Sequence, residues 1–196
     1  MILELLQNVA LLVALSVGLQ LLAQRINRPG LLYSLAAGVL FGVVGVVAMM
    51  TPFHFAPGVI YDGRSIIVSL AGFMGGPVTG TVAAVLCIFY RLYLGGVGAP
   101  VGVLVILEAA LFGILFYYLR RRNPRWEHPL KLWLLGVVVQ STMLFLQLLL
   151  PGSLGWQVLS VVGPSVLLLY PAGFMVAALV FLENERRLTL EKTIAA

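Results

Sequence analysis

Charged residues are scarce in this sequence, and their scarcity argues against a soluble protein. Only 10% of the 196 residues are charged, 61% are hydrophobic, and the mean hydropathy is +1.07. A soluble domain with this balance could not cover its surface with polar groups. The apolar runs are about 18 to 25 residues long, as membrane-spanning helices require, and do not alternate like the strands of a barrel. The sequence therefore predicts an all-α integral membrane protein, a polytopic helix bundle.

Residues that carry catalysis or bind metals are also few. The single cysteine, Cys87, excludes an internal disulfide, and His54 and His128 have no metal-ligand companion at a suitable spacing. The sequence contains no nucleophile elbow, zinc-protease motif, phosphate-binding loop or C-x-x-C pair. We therefore expect no catalytic activity, no metal and no cofactor.

The positive charge is distributed as in a membrane protein. The net charge of +5 comes mostly from residues that flank the apolar runs. This placement indicates membrane orientation and argues against a nucleic-acid partner. We expect contact with membrane lipid instead. Six long apolar segments are predicted, at residues 2–24, 31–50, 64–94, 101–119, 132–150 and 157–182. A loop is expected over 51–63, kinks at Pro164 and Pro171, and a charged helical tail after residue 182.

The third apolar segment contains its own turn. Gly75 and Gly76 precede Pro77, which removes a backbone donor and disfavours helical geometry at the residue before it. We predict two helices, about 64–74 and 77–94, folded back on each other as a hairpin. The arms would be roughly 17–27 Å long against a hydrocarbon thickness of about 30 Å. Seven full crossings and a re-entrant hairpin therefore both stay open.

The distribution of Lys and Arg favours the hairpin over one straight span. With a hairpin, the N-terminus is outside, the C-terminus is cytoplasmic, and every Lys and Arg except Arg64 and Arg91 is inside. With a straight span, Arg25, Arg28 and Arg91 would all lie outside. The positive-inside rule prefers the first arrangement by one residue.

The hairpin would bring Arg64 and Arg91 to the same membrane face, where two guanidinium groups could bind a small anion. The planar guanidinium fork suits a carboxylate because it can donate two parallel hydrogen bonds. The alternative is that each arginine extends to lipid phosphates at the interface. Asp62 is expected to orient Arg64 or to begin the turn before it.

Three further residues complete the predicted site. Glu108 lies about 10 Å into its helix by helical rise. An acid at that depth usually has a partner, so we expect an ion pair with one of the arginines or direct contact with ligand. Gly98 and Gly102 are expected to allow close backbone approach and loop closure over the ligand.

The residues of this region resemble the membrane sensor module of LytS/YhcK-type five-transmembrane receptors (5TMR-LYT). The likeness rests on the D-x-R entry, the L-A-G-x-x-G-G-P-x-x-G turn, the Y-R-x-x-L-G-G run and the following G-A-x-x-G, and it extends over about 30–182. The two arginine positions of the motif are Arg64 and Arg91. The family's modules are the input domains of bacterial sensor histidine kinases and diguanylate cyclases.

The resemblance implies a domain organisation and a signal. Residues 1–182 would form the sensor domain, and 183–196 a cytoplasmic linker helix leading to an output domain that this sequence does not contain. It also implies a bacterial inner (cell) membrane location, a homodimeric full-length receptor, and a small extracellular anionic metabolite, such as the carboxylate pyruvate, as ligand.

Two other classes of function stay open at the level of sequence. The order of short helix, G-P-x-x-G, helix, glycine-rich loop and helix is similar to the substrate-binding membrane subunits of energy-coupling-factor transporters. Such a subunit would dock partner helices on its glycine and alanine surfaces. A purely structural membrane protein would leave Arg64 and Arg91 without functional consequence.

Overall fold

The fold is a bundle of long helices with one short β-ribbon. A computed structural model describes residues 2–26, 30–50, 53–56 and 59–194, with side chains at all of these except 2–9, 12, 53–56, 59–61, 188–189 and 191–194. The elements in chain order are α1 (Ile2–Arg25), α2 (Leu31–Met50), β1 (Phe53–Ala56), β2 (Val59–Tyr61), α3 (Arg64–Leu94), α4 (Ala99–Arg122), α5 (Pro129–Leu146), α6 (Leu154–Val161) and α7 (Gly163–Ile194).

The prediction of an all-α polytopic membrane bundle is confirmed. Within the described residues, five helical segments are long and apolar enough to cross a membrane: Leu31–Met50, Arg64–Leu94, Ala99–Arg122, Pro129–Leu149 and Gly163–Arg187. Large apolar side chains such as Val43, Leu111 and Phe145 are half or more exposed on their outer faces, where they contact lipid. The predicted count of six apolar segments and seven crossings stays a prediction.

Helix α3 is broken at the predicted place. Gly76 has φ of 73° and ψ of −160°, a combination that essentially only glycine adopts, while the residues on both sides are helical. Pro77 follows directly and begins the second arm, where its fixed φ suits a first helical turn. The segment therefore consists of two arms, 64–75 and 77–94.

The two arms fold back on each other as predicted. A Cβ atom added to Gly80 would lie 2.9 Å from the Cα of Gly72, although a straight helix would separate these residues by about 12 Å. Ile67 and Cys87, one from each arm, both lie against Gly45 of α2. The hairpin packs between α2 and α4, and glycines at each contact let the backbones approach closely.

The hairpin defines two ends of the bundle. At the tip end, Gly76 lies against the ring of Tyr117, within the last two turns of α4. At the open end, Arg91 lies against Gly102, near the start of α4. Gly102 and Tyr117, the α4 residues at these two contacts, are 15 residues apart, or about 22 Å along the helix. The hairpin thus reaches most of the way through a hydrocarbon layer of about 30 Å.

Three predicted boundaries were wrong. The expected loop over 51–63 contains an antiparallel ribbon, in which Phe53 pairs with Tyr61 and His54 with Ile60. The single last span over 157–182 is instead the short α6 followed by α7. Helix α4 continues to Arg122, so the basic loop begins later than expected, and residues 124–127 form a turn of 3-10 helix.

Helix α7 is the longest element and includes the predicted charged tail. It runs without interruption from Gly163 to Ile194, with Pro164 in its first turn and Pro171 in its interior. Pro171 packs closely against Gly136 of α5. Within the membrane part, Phe174 makes an edge-to-face contact with Phe73 of the hairpin, with ring centroids 6.3 Å apart.

Replacing Gly76 distinguishes a hairpin from a straight helix, because the two predict stability changes of opposite sign. We predict that Gly76→Ala destabilises the protein by about 1–3 kcal/mol, because alanine strains this backbone conformation and its Cβ would meet the Tyr117 ring at 2.8 Å. A straight helix would instead gain up to about 1 kcal/mol from the same change.

Thermal unfolding in detergent measures this difference. The matched control is Gly173→Ala in α7, where an added Cβ meets only Ile66 at an ordinary 3.8 Å. A Gly76→Ala protein that unfolds at the same temperature as wild type, or higher, would contradict the fold-back.

Candidate ligand-binding site

Arg64 is held at the open end of the hairpin by the residue two positions before it. The Asp62 carboxylate accepts a hydrogen bond from the Arg64 backbone N–H at 2.9 Å and another from the guanidinium Nη1 at 3.1 Å. The side chains of Arg64 and Asp62 are 7% and 1% exposed. Asp62 therefore accepts from the backbone of the first residue of α3, as at the beginning of a turn, and also orients the Arg64 side chain.

Arg91 is positioned by glycines on either side of the turn that follows it. Its Nη1 donates a hydrogen bond to the carbonyl oxygen of Gly95 at 2.7 Å. Its side chain passes Gly102 so closely that a Cβ there would lie 2.5 Å from Nε and 3.1 Å from Cδ. Gly102 therefore gives the arginine room to lie along α4, a role that the sequence alone had not specified.

The structure brings Arg64, Arg91 and Asp62 together, as predicted, in what we call the charged cluster. Arg64 and Arg91 lie at the same level of the hairpin, because Ile67 of the first arm and Cys87 of the second lie against the same residue of α2, Gly45. Arg64 is 6% exposed and Arg91 only 2%. The cluster is therefore nearly sealed in this conformation.

Glu108 does not form the predicted ion pair. Among the described residues, neither of its carboxylate oxygens has a hydrogen-bond partner, and its side chain is buried. Helical spacing explains the error, because Glu108 follows Val101 and Val105 on the face of α4 that packs with α5, α6 and α7. Arg91 instead lies along the face that carries Gly102. A ligand contact for Glu108 stays a prediction.

Gly98 lies at the join between the glycine turn and α4. It is buried, and its carbonyl oxygen accepts a hydrogen bond from the Gly102 N–H at 2.8 Å. Two residues of the turn before it, Gly95 and Gly96, have φ of 63° and 85°. Only glycine adopts such values without strain, so this turn requires glycine at both positions. The role of Gly98 in closing over a ligand stays a prediction.

One contact beside the cluster escaped the sequence analysis. Ser65, next to Arg64, exchanges hydrogen bonds with Gln140 of α5, and the Gln140 Nε2 lies 3.2 Å from the Ser65 hydroxyl. Both side chains are buried. Polar residues in the fifth apolar segment indicated a bond between helices, but nothing in the sequence identified the partner, which is 75 residues away.

The tip end of the bundle contains a cavity of about 490 Å³. It lies between α1, α2, the hairpin tip, the end of α4 and α7, and we call it the tip cavity. Its lining includes Ser34, Thr79, Tyr117, Arg120 and Arg121. The α4 residues in its lining belong to the far end of that helix, so the tip cavity and the charged cluster occupy opposite ends of the hairpin.

The helices that meet at the tip end are joined by ion pairs. Arg120 of α4 donates to Glu185 of α7 at 3.0 Å and lies over the ring of Phe73 at 5.1 Å. Glu127, in the turn after α4, lies 3.8 Å from Arg120 and 2.9 Å from Arg186. The hairpin tip is thus in contact with the side chain that pairs with α7.

Comparisons with known proteins place the chain in a family. Searches of curated proteins and of solved structures found no match. A family model described as 5TMR of 5TMR-LYT matches residues 18–184, which is most of the chain and includes every residue of the charged cluster. The family comprises sensory input domains and not catalytic domains, in agreement with the prediction that the chain is not an enzyme. The resemblance seen in the sequence is confirmed: the chain belongs to the 5TMR-LYT family and is a multi-pass membrane sensory input module of signalling receptors.

Proposed function

We propose that this module binds a small extracellular carboxylate, of which pyruvate is the model, at the charged cluster. It passes the signal through α7 to a cytoplasmic histidine kinase or diguanylate cyclase domain in a homodimeric receptor of the bacterial cell membrane. Residues 1–182 act as the sensor domain and 183–196 as the linker helix.

The observation that carries this proposal is the convergence of Arg64 and Arg91. They are 27 residues apart in the chain, and the fold-back of the hairpin, in which Gly80 lies against Gly72, brings both to its open end. Burying guanidinium groups in a membrane protein is costly, so two buried arginines in one cluster point to a role in function. Lipid phosphates explain them less well, because an arginine that extends to the interface keeps its head group exposed.

The geometry suggests how a carboxylate is taken up. Each guanidinium already donates to an oxygen that a ligand carboxylate resembles, namely the Asp62 carboxylate for Arg64 and the Gly95 carbonyl for Arg91. An incoming carboxylate accepts these hydrogen bonds in their place. Loss of the bond to Gly95 releases the glycine turn, so binding and turn movement are coupled.

The distribution of arginines between the two ends of the bundle supports a cytoplasmic tip end. Arg120, Arg121 and Arg122 close α4 there, whereas Arg64 and Arg91 lie at the opposite end. The positive-inside rule therefore supports a cytoplasmic tip end and an extracellular charged cluster. The ligand thus reaches the cluster from outside, and α7 leaves the membrane inside.

The signal has a direct route along the hairpin. Movement at Arg64 is transmitted by the first arm to Phe73, which contacts both Phe174 of α7 and the guanidinium of Arg120. Arg120 pairs with Glu185, beyond the membrane part of α7. A ligand shifts this arrangement only by the difference between its affinities for the two states. Family membership favours this sensor over a transporter subunit, although both would bind a ligand.

We predict that Arg64→Gln and Arg91→Gln each weaken pyruvate binding at least tenfold, because a charge-assisted hydrogen bond contributes about 1.5–3 kcal/mol. Isothermal titration of the purified protein in detergent measures the Kd. Arg125→Gln is the matched control, since it removes the same charge from an exposed site at the tip end. Pyruvate binding that survives both cluster variants unchanged would remove the cluster from the site.

We predict that Gly102→Ala raises the pyruvate Kd about three- to tenfold while the protein stays folded. The added Cβ displaces the flexible end of Arg91, not the backbone, so the change moves the guanidinium at little cost in stability. Gly173→Ala serves as the control. A large fall in Tm with unchanged affinity in the remaining folded protein would show that Gly102 serves packing only.

We predict that Glu185→Gln separates binding from transmission. Pyruvate should alter hydrogen–deuterium exchange in residues 183–194 of the wild-type protein in nanodiscs. In Glu185→Gln this response should shrink by at least half while the pyruvate Kd stays within about twofold, because the pair with Arg120 is lost. Glu183→Gln is the control, since Glu183 pairs within α7, with Arg187. An undiminished response in Glu185→Gln would exclude the ion pair from the route.

A further inference from the structure

The tip cavity differs from the charged cluster in chemistry as well as in position. Its lining includes the hydroxyl-bearing residues Ser34, Thr79 and Tyr117 and the cation Arg121. The remaining lining is mixed: Leu19, Phe41 and Phe181 are apolar, whereas Ser16, Asn184 and Glu185 are polar. A site of this kind suits a molecule with an anionic head and an apolar body.

Arg121 is the cation that such a head group would meet. Its Nη1 lies 3.0 Å from the Tyr117 hydroxyl, and its guanidinium lies over the same ring at 5.5 Å. Among the described residues, Arg121 takes part in no ion pair, whereas the neighbouring Arg120 is paired with Glu185 and Glu127. Arg121 therefore stands at the cavity with its charge still available to an anion, and Tyr117 holds it in place.

The surroundings also favour an anion. The end of α4 carries Arg122 beside Arg121, and Arg125 follows in the next turn; both are exposed. Several positive charges at one membrane face raise the local concentration of anions. Basic pockets between transmembrane helices on the cytoplasmic side are known to bind the head groups of anionic phospholipids.

We propose that the tip cavity is a phosphate-binding site, filled in the membrane by an anionic phospholipid. Arg121 donates to the phosphate, and the hydroxyl group of Tyr117, which Arg121 contacts, lies beside it. The apolar lining accommodates part of an acyl chain. A free phosphate ion would satisfy the same donors but would leave a cavity of about 490 Å³ mostly unfilled, and for this reason we assign the site to a lipid.

A lipid bound in the tip cavity would also affect signal transmission through α7. Arg120 and Glu185 line the same cavity, so the lipid phosphate lies beside the ion pair that joins α4 to α7. A second anion near Arg120 competes with Glu185 for its charge. The lipid composition of the inner leaflet would then set how firmly α7 is held, independently of any ligand at the charged cluster.

Short-chain lipids test the proposal directly. Binding of dioctanoyl phosphatidylglycerol to the full chain in a non-ionic detergent is measured by native mass spectrometry and titration. Dioctanoyl phosphatidylcholine tests the charge, and glycerol 3-phosphate tests the need for acyl chains. We expect phosphatidylglycerol to bind at least tenfold more tightly than either. Arg121→Gln should weaken it at least fivefold, and the exposed Arg122→Gln, which removes the same charge one residue further on, should change it less than twofold.

Each other outcome has a definite meaning. Equal effects of Arg121→Gln and Arg122→Gln would overturn the site and leave only general attraction to a basic surface. Equal binding of phosphatidylglycerol and phosphatidylcholine would overturn the phosphate assignment. Glycerol 3-phosphate binding as tightly as the lipid, and lost in Arg121→Gln, would support the phosphate site and overturn the lipid as its occupant. None of these results depends on whether a carboxylate binds at the charged cluster.

Discussion

The close approach of helix backbones at the hairpin is the constraint on which the rest of the structure depends. Gly72 and Gly80 face each other across the two arms, and Gly113 of α4 meets the backbone at Ser69. Any side chain larger than a hydrogen atom at these positions would separate the helices. Because there is little hydrophobic driving force between helices in lipid, such tight packing supplies much of the stability. The charged cluster exists only because this packing returns residue 91 to the level of residue 64.

The sequence was sufficient to predict the break in the third apolar segment and the convergence of Arg64 and Arg91. Gly75, Gly76 and Pro77 have local effects that do not depend on the rest of the chain, so the turn could be predicted from them. The second helix, 31–50, was also predicted with the bounds that the structure shows. Both predictions rest on backbone chemistry and hydropathy, which act within a few residues.

What could not be predicted depends on how each helix is rotated about its axis. Glu108 was expected to face the arginines, but its side of α4 is set by packing against α5, α6 and α7. A helix in water shows its rotation through one apolar face, whereas here the lipid-facing and the buried residues are both apolar. For the same reason the Ser65–Gln140 pair and the tip cavity could be found only from the structure. The helix-stopping residues Pro52, Pro57 and Gly58 predict only a loop over 51–63, so the ribbon formed by Phe53–Ala56 and Val59–Tyr61 was also missed.

The continuity of α7 makes it a lever. The helix is fixed against α5 where Pro171 meets Gly136, and it continues for 23 residues beyond that point, or about 35 Å. With Pro171 as the fulcrum, a tilt of only about 3° moves the far end by about 2 Å, the size of helix shift seen in many allosteric transitions. A displacement of less than about 1 Å among the buried side chains near Pro171 is therefore enough to move the far end of α7 by this distance.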